Sequence, residues 1–220
     1  MNLTELQKRF LTALFLIPFA IFMISYSKKI FLIFLLSVLF FSFYEWFKLN
    51  KKKVSLISLL GFIFISISIY FAYFLRGNDG HSILEFILII FICIFSDVGG
   101  FFFGKAFGGK KITKISPNKT YSGMYGSFIF SILPILILYF YNQNLLIFNN
   151  IVLSWKNIFF CILFSLTCQL GDITVSFFKR RKKIKDTGKL LPGHGGLLDR
   201  IDGLIFVIVF SGILKILNII

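Results

Sequence analysis

The chain of 220 residues carries only nine carboxylates, and five of them stand where apolar runs give way to polar ones: Asp97, Asp172, Asp186, Asp199 and Asp202. A carboxylate at membrane depth is costly and faces a cavity, a cation or a charged partner. Asp199 and Asp202 are three residues apart at the expected start of an apolar helix, a spacing that places both on one helical face. Two carboxylates on one face suit a hard, oxygen-seeking cation such as Mg²⁺. They equally suit the positive end of a helix, with Asp202 paired to Arg200 or a lysine, and the spacing alone leaves both readings open.

Basic and glycine-rich runs lie beside these acids. Lys179-Arg180-Arg181-Lys182-Lys183 and Lys185 precede Leu191-Pro192-Gly193-His194-Gly195-Gly196. Glycine allows close backbone approach, and successive N–H groups in such a loop can cradle a phosphate. Further upstream, Asp97 is followed by Gly99, Gly100, Gly104, Lys105, Gly108, Gly109 and Lys110, then by Ser116-Pro117-Asn118-Lys119-Thr120 and Gly123. Carboxylates for a metal, cations for phosphate oxygens and glycines for the backbone are the parts used in phosphoryl-group chemistry. Neither run matches the P-loop pattern, and no dinucleotide-binding context surrounds the glycines.

The elements that must position these residues follow from composition. The chain is 57% hydrophobic and 19% aromatic, more apolar surface than a small globule can hide from water but suited to lipid-facing helices. Seven runs are long enough to span a bilayer, each near 20 apolar residues: Phe10–Tyr26, Ile30–Phe47, Val54–Leu75, Ile83–Phe103, Met124–Tyr141, Ile151–Val175 and Gly203–Ile220. The sixth is long enough to begin as late as Ile158. The first run follows Lys8 and Arg9 but no small-residue cleavage site follows it, so it reads as a retained helix. These runs predict an all-α, polytopic transmembrane bundle of about seven spans, one integral membrane domain over residues 1–220.

The net charge of +15 would suggest nucleic acid in a soluble protein, but here it reads as the basic bias of cytoplasmic loops. With the N-terminus cytoplasmic and the C-terminus outside, the 24 lysines and arginines divide 19 inside to 5 outside. That places two polar loops, about 104–123 and 176–202, together on the cytoplasmic side as active-site loops. Cys93, Cys161 and Cys168 lie in apolar stretches without metal-type spacing and read as small buried or lipid-facing side chains.

One stretch resembles a known family. Ser176-Phe177-Phe178-Lys179-Arg180, then Lys185-Asp186-Thr187-Gly188, Leu191-Pro192-Gly193-His194-Gly195-Gly196, Leu197, Leu198 and Asp199-Arg200-Ile201-Asp202 run for 27 residues without a gap. They resemble the signature of phosphatidate cytidylyltransferases, also called CDP-diacylglycerol synthases. Gly171-Asp172 precedes it as in that family. Asp97 to Lys110 and Ser116-Pro117-Asn118-Lys119-Thr120 are similar to two further family motifs, and Tyr44-Glu45-Trp46 is similar to an early family acid. Gly100 departs from a usual Ala, Ser122 from a frequent Glu and Gly203 from a usual Ser, and the chain is short for the family.

The resemblance implies that CTP and phosphatidate react to give CDP-diacylglycerol and pyrophosphate, with one or two Mg²⁺ ions. It implies Asp172 and Asp199 as leading metal ligands, Asp97 as a further one, and Asp186 and Asp202 beside them. Lys105, Lys119, Lys179, Arg180 and Arg200 are the cations for phosphate; Ser116 and Thr120 are hydrogen-bond donors, and Gly195 and Gly196 supply backbone. His194 either contacts phosphate or fixes its loop. The implied setting is a bacterial plasma membrane, with the bilayer and the two substrates as partners, no nucleic acid, and a homodimer left open. A CTP-dependent lipid or polyprenol kinase and a transporter or flippase of anionic lipid are the rival readings.

Overall fold

The computed structural model describes residues 5–50, 55–113, 116, 119–145, 153–184, 186–188, 190 and 195–220, with the side chains of 5–13 and 142–145 left aside. Among the described residues every regular element is an α-helix: α1 Glu5–Tyr26, α2 Lys28–Leu49, α3 Leu56–Arg76, α4 Gly80–Phe107, α5 Tyr121–Ser131, α6 Leu133–Leu145, α7 Trp155–Arg181 and α8 Leu198–Ile216. Most begin on a residue whose oxygen holds the first free amides. Ser27 accepts from Ile30, Ser55 from Ser58, Asp79 from Ser82, Thr120 from Gly123 and Ser154 from Asn157. By contrast, α8 starts on Leu197 and has no local side-chain cap.

Five helical stretches are long and apolar enough to cross a membrane: α2, α3, α4, α7 and the combined Tyr121–Tyr141 stretch of α5 and α6. The break between those two halves lies at Ile132, just ahead of Pro134, which has no N–H to return to the preceding turn. Counted that way, the described helices number seven, with α1 and α8 completing the bundle. Several helices run beyond the apolar runs expected from sequence. α4 continues to Phe107 and α7 to Arg181, and α8 begins at Leu198 rather than Gly203, while α7 starts at Trp155, between the expected Ile151 and Ile158. The polar loops expected at 104–123 and 176–202 are correspondingly shorter, because polar turns extend these helices beyond their apolar stretches. Gly108 and Gly109, at φ +58° and +103°, end α4 in a conformation that glycine adopts without strain.

α8 lies at the centre, packing on α7, α3, α4 and α2. Val207 is fully buried, within a cluster that includes Ile92, Ile135, Phe164 and all three cysteines. Between α4 and α5 glycines replace side chains: a Cβ on Gly123 would lie 2.7 Å from the Gly100 carbonyl oxygen, and one on Gly126 would lie 2.7 Å from that of Gly99. Small residues of this kind let helices meet backbone to backbone where lipid provides no hydrophobic drive. The contacts define two ends of the bundle. One gathers Glu45, Lys119, Asp172 and Asp199. At the other, Arg76 Nε donates to the Ile24 carbonyl at 2.9 Å and Lys215 meets Glu85 at 3.3 Å.

Candidate functional site

At the first of these ends a cavity of about 240 Å³ is lined by Asp97, Gly100, Lys119, Thr120, Gln169 and Asp172, among others. Three elements build it. α4 supplies Asp97 near its C-terminal end, and α7 supplies Gln169 and Asp172, three apart and therefore on one face. The start of α5 supplies Thr120, whose hydroxyl also caps that helix through Gly123 N at 3.2 Å. Lys119 enters from the loop before α5, which is closed by the Ile112 amide donating to the Lys119 carbonyl at 2.9 Å and the Tyr121 amide to the Lys110 carbonyl at 3.1 Å. Ser122 fastens the same loop by donating to the Gly108 carbonyl.

Within the cavity Lys119 Nζ lies 2.8 Å from Asp172 Oδ2 and donates to the Gln169 carbonyl at 3.3 Å. Just beyond the first turn of α8, the segment Asp202–Gly203 packs against Asp172. Gly203 allows that approach, since a Cβ there would lie 2.6 Å from Asp172 Oδ1.

A second cluster adjoins the first. Lys179 Nζ sits between two acids of α8, 2.9 Å from Asp199 Oδ1 and 3.6 Å from Asp202 Oδ2. Asp199 Oδ2 accepts the backbone amides of Thr187 at 2.8 Å and Gly196 at 2.9 Å. The bond from Gly196 to an acid three residues on is one half of a capping box. The other N-terminal amides of α8 are met from a distant helix: Glu45 of α2 accepts from Leu197 N and Leu198 N, both at 2.9 Å, and from the Thr187 hydroxyl at 3.0 Å.

The structure thus brings Asp97, Asp172, Asp202, Lys119 and Thr120 together, with Lys179, Asp199 and Gly196 immediately behind, while Arg200 is exposed on α8. Asp186 is exposed beside Gly195, whose φ is +85°. Three of the expected cation and phosphate contacts sit further out. Arg180 donates to the Ile184 carbonyl at 3.3 Å, Lys105 lies 5.8 Å over the Phe101 ring, and the Ser116 amide bonds to Thr113 Oγ1 at 3.1 Å. His194 lies outside the described residues. Sequence reasoning gave no site role to Glu45, Gln169 or Thr187. The signals for Glu45 were the likeness of Tyr44-Glu45-Trp46 to an early family acid and an indirect one: a Leu at the start of α8 cannot cap, so its amides need a partner from elsewhere.

Among the described residues no three His, Cys, Asp or Glu side chains form a ready-made metal cage. Mg²⁺ does not require one, since it commonly binds through one or two carboxylates, water and substrate phosphates. The oxygen-only donors Asp97 and Asp172 fit that pattern, and the Lys119 ammonium stands where positive charge is wanted. Asp199 differs from them, because both its oxygens already hold protein donors.

Sequence comparisons agree with the motifs. The chain is 39% identical over 155 residues to the phosphatidate cytidylyltransferases of Staphylococcus haemolyticus and Staphylococcus aureus. It is 36% identical over 155 residues to that of Staphylococcus saprophyticus. These alignments cover 70% of this chain and 56% of each relative, so the chain spans about half the length of the curated relatives it matches. A family model described as the cytidylyltransferase family matches residues 53–217, the stretch holding every site element except α2, and the chain belongs to that family.

Proposed function

We propose that the chain transfers a cytidylyl group from CTP to phosphatidate, giving CDP-diacylglycerol and pyrophosphate, at the cytoplasmic face of a bacterial plasma membrane. The observation that carries this reading is the cavity in which Lys119 meets Asp172 opposite Asp97, at the same end of the bundle as the Lys179–Asp199–Asp202 cluster. A phosphatidate oxygen attacks the α-phosphorus of CTP; the new P–O bond forms as the bond to the β-phosphate oxygen breaks, and pyrophosphate leaves with that electron pair. The attacking oxygen is already ionised near neutral pH, so no general base is needed. The obstacle is repulsion between two anions, and the protein's part is position and charge.

Asp97 and Asp172 would hold Mg²⁺, with Asp202 alongside and Asp199 joined to the set through the lysine it shares. Bound there, Mg²⁺ supplies charge neutralisation and Lewis-acid polarisation of a phosphate oxygen. Lys119 supplies a cation that can turn from Asp172 to a phosphate, Thr120 and the backbone of Gly195 supply donors, and Gly196, whose amide is held by Asp199, lets the loop approach closely. Arg200, exposed on α8, adds positive charge at the rim; Lys105 and Arg180 lie on the approach. Relatives carrying the same name support the choice of substrates.

The test is direct. Membranes containing the protein, given labelled CTP and phosphatidate, should form a lipid-soluble CDP product and pyrophosphate with Mg²⁺, and should stop when the cation is chelated. Release of CDP with phosphorylation of a lipid alcohol would instead show a kinase. Binding of anionic lipid without turnover would point to transport. Product formed at full rate in excess chelator would remove the metal from the mechanism.

A further inference from the structure

α8 carries one site acid, Asp199, in its first turn and another, Asp202, just beyond it, yet its own sequence gives it no side-chain cap at Leu197. Free amides at a helix start need acceptors, and a carboxylate there also meets the positive end of the helix dipole. Both needs are met by Glu45, which lies 152 residues away from Leu197 in sequence. Its side chain is 2% exposed. Oε1 accepts from Leu197 N, while Oε2 accepts from Leu198 N and the Thr187 hydroxyl.

Thr187 is held from two directions, by Glu45 through its hydroxyl and by Asp199 through its amide at 2.8 Å. The surrounding backbone is shaped around the carboxylate: a Cβ on Gly188 would lie 2.6 Å from Glu45 Oε1. Glu45 is itself anchored by its neighbour in α2, since Trp46 Nε1 donates to the Ser58 carbonyl at 2.9 Å and its ring meets Phe178 of α7 edge-on at 5.8 Å.

We infer that Glu45 is a positioning residue for cytidylyl transfer, acting from α2 as a remote cap that fixes the first turn of α8 and so sets where Asp199, Asp202 and their shared Lys179 stand. It lies outside the stretch matched by the family model, residues 53–217, and touches none of the cavity-lining residues named above. The proposal rests on the transferase reading for its kinetic arm alone.

Glu45→Gln keeps the shape but turns one acceptor into a donor facing an amide. In purified full-length protein in lipid nanodiscs, kcat should fall about 10- to 100-fold, as for partners that orient catalytic ligands. KM for CTP and for phosphatidate should stay within about threefold, since Glu45 contacts neither in this reading. Hydrogen exchange of the peptide spanning Gly195–Ile201 should accelerate, which a loss confined to chemistry would not produce. Thr187→Val removes one bond only and should cost about three- to tenfold in kcat. Combined with Glu45→Gln it should cost less than the product of the two, because they share that bond.

Should Glu45→Gln fail to insert, Thr187→Val and its exchange profile carry the test. A kcat within about twofold of wild type in either inserted variant overturns the positioning role, given that one such bond is worth about 1 kcal/mol or more. Unchanged exchange in the Gly195–Ile201 peptide of both variants overturns the capping role. A wild-type protein with no transferase activity sinks the function instead, and the exchange arm still decides whether Glu45 holds α8.

Discussion

Asp172 combines more of the site than any other side chain described. It faces the cavity, pairs with Lys119 at 2.8 Å and crowds Gly203. Asp172→Asn retains the volume and loses the charge. If this carboxylate helps hold a divalent cation worth several kcal/mol to the transition state, activity should fall by about 100-fold or more. The nucleotidyl-transfer assay on inserted protein measures this, and near-normal turnover would remove Asp172 from the metal set. The residues legible in the sequence were those whose chemistry is rare in an apolar chain: Asp97, Asp172, Asp199, Asp202 and Lys119 stood out by type. Of the two acids whose spacing left both readings open, Asp199 accepts the Thr187 and Gly196 amides and both meet Lys179. Gln169 was not legible as a site residue, and Glu45 stood out only through the likeness of Tyr44-Glu45-Trp46 to an early family acid, because a partner contributed across the fold leaves no local pattern.

At the scale of elements, the α4–α5 contact fixes the cavity's width. Gly99, Gly100 and Gly104 face Gly123 and Gly126 closely enough that Asp97 and Thr120 share one space. Gly126→Leu would drive a side chain into Phe103 and the Gly99 carbonyl. Overpacking of this kind costs about 1–3 kcal/mol, so thermal unfolding in detergent should shift downward and transferase activity should fall with it. Equal stability and activity would show that the helices separate without consequence. From sequence the fourth apolar run ended at Phe103 and Gly104, Gly108, Gly109 and Gly123 fell in the polar loop that follows it. The structure divides them: Gly99 to Gly104 pack within α4, and Gly108 and Gly109 form its exit. Helix ends were misjudged by about a turn wherever a polar segment continued the helix, as in Phe178 to Arg181 and Leu198 to Asp202, because hydropathy marks where lipid ends and hydrogen bonding sets where the helix does.

For the whole molecule, the alternation of passes was legible from apolar run length and from basic residues, and the structure gathers the expected site loops at one end. The basic bias predicts that this end is cytoplasmic, a prediction open to a simple check. The three native cysteines are at most 4% exposed, so they should stay silent to a bulky, impermeant maleimide. In intact cells Asn78→Cys should label, whereas Lys111→Cys should label only after permeabilisation. The reverse pattern would invert the orientation and move the site away from cytoplasmic CTP.

The lysine lodged between Asp199 and Asp202 has a consequence for biogenesis as well as catalysis. With side-chain exposures of 10%, 6% and 15%, these groups enter the folded bundle as a mutually compensated set. Stripping out the cation alone leaves two adjacent anions stranded, a loss of about 3–5 kcal/mol for a buried pair. Lys179→Met should therefore lower the amount of protein that accumulates in membranes, and adding Asp202→Asn should restore part of that yield while the enzyme stays inactive. Recovery of abundance without recovery of turnover would separate what the cell needs in order to make this protein from what the reaction needs in order to run.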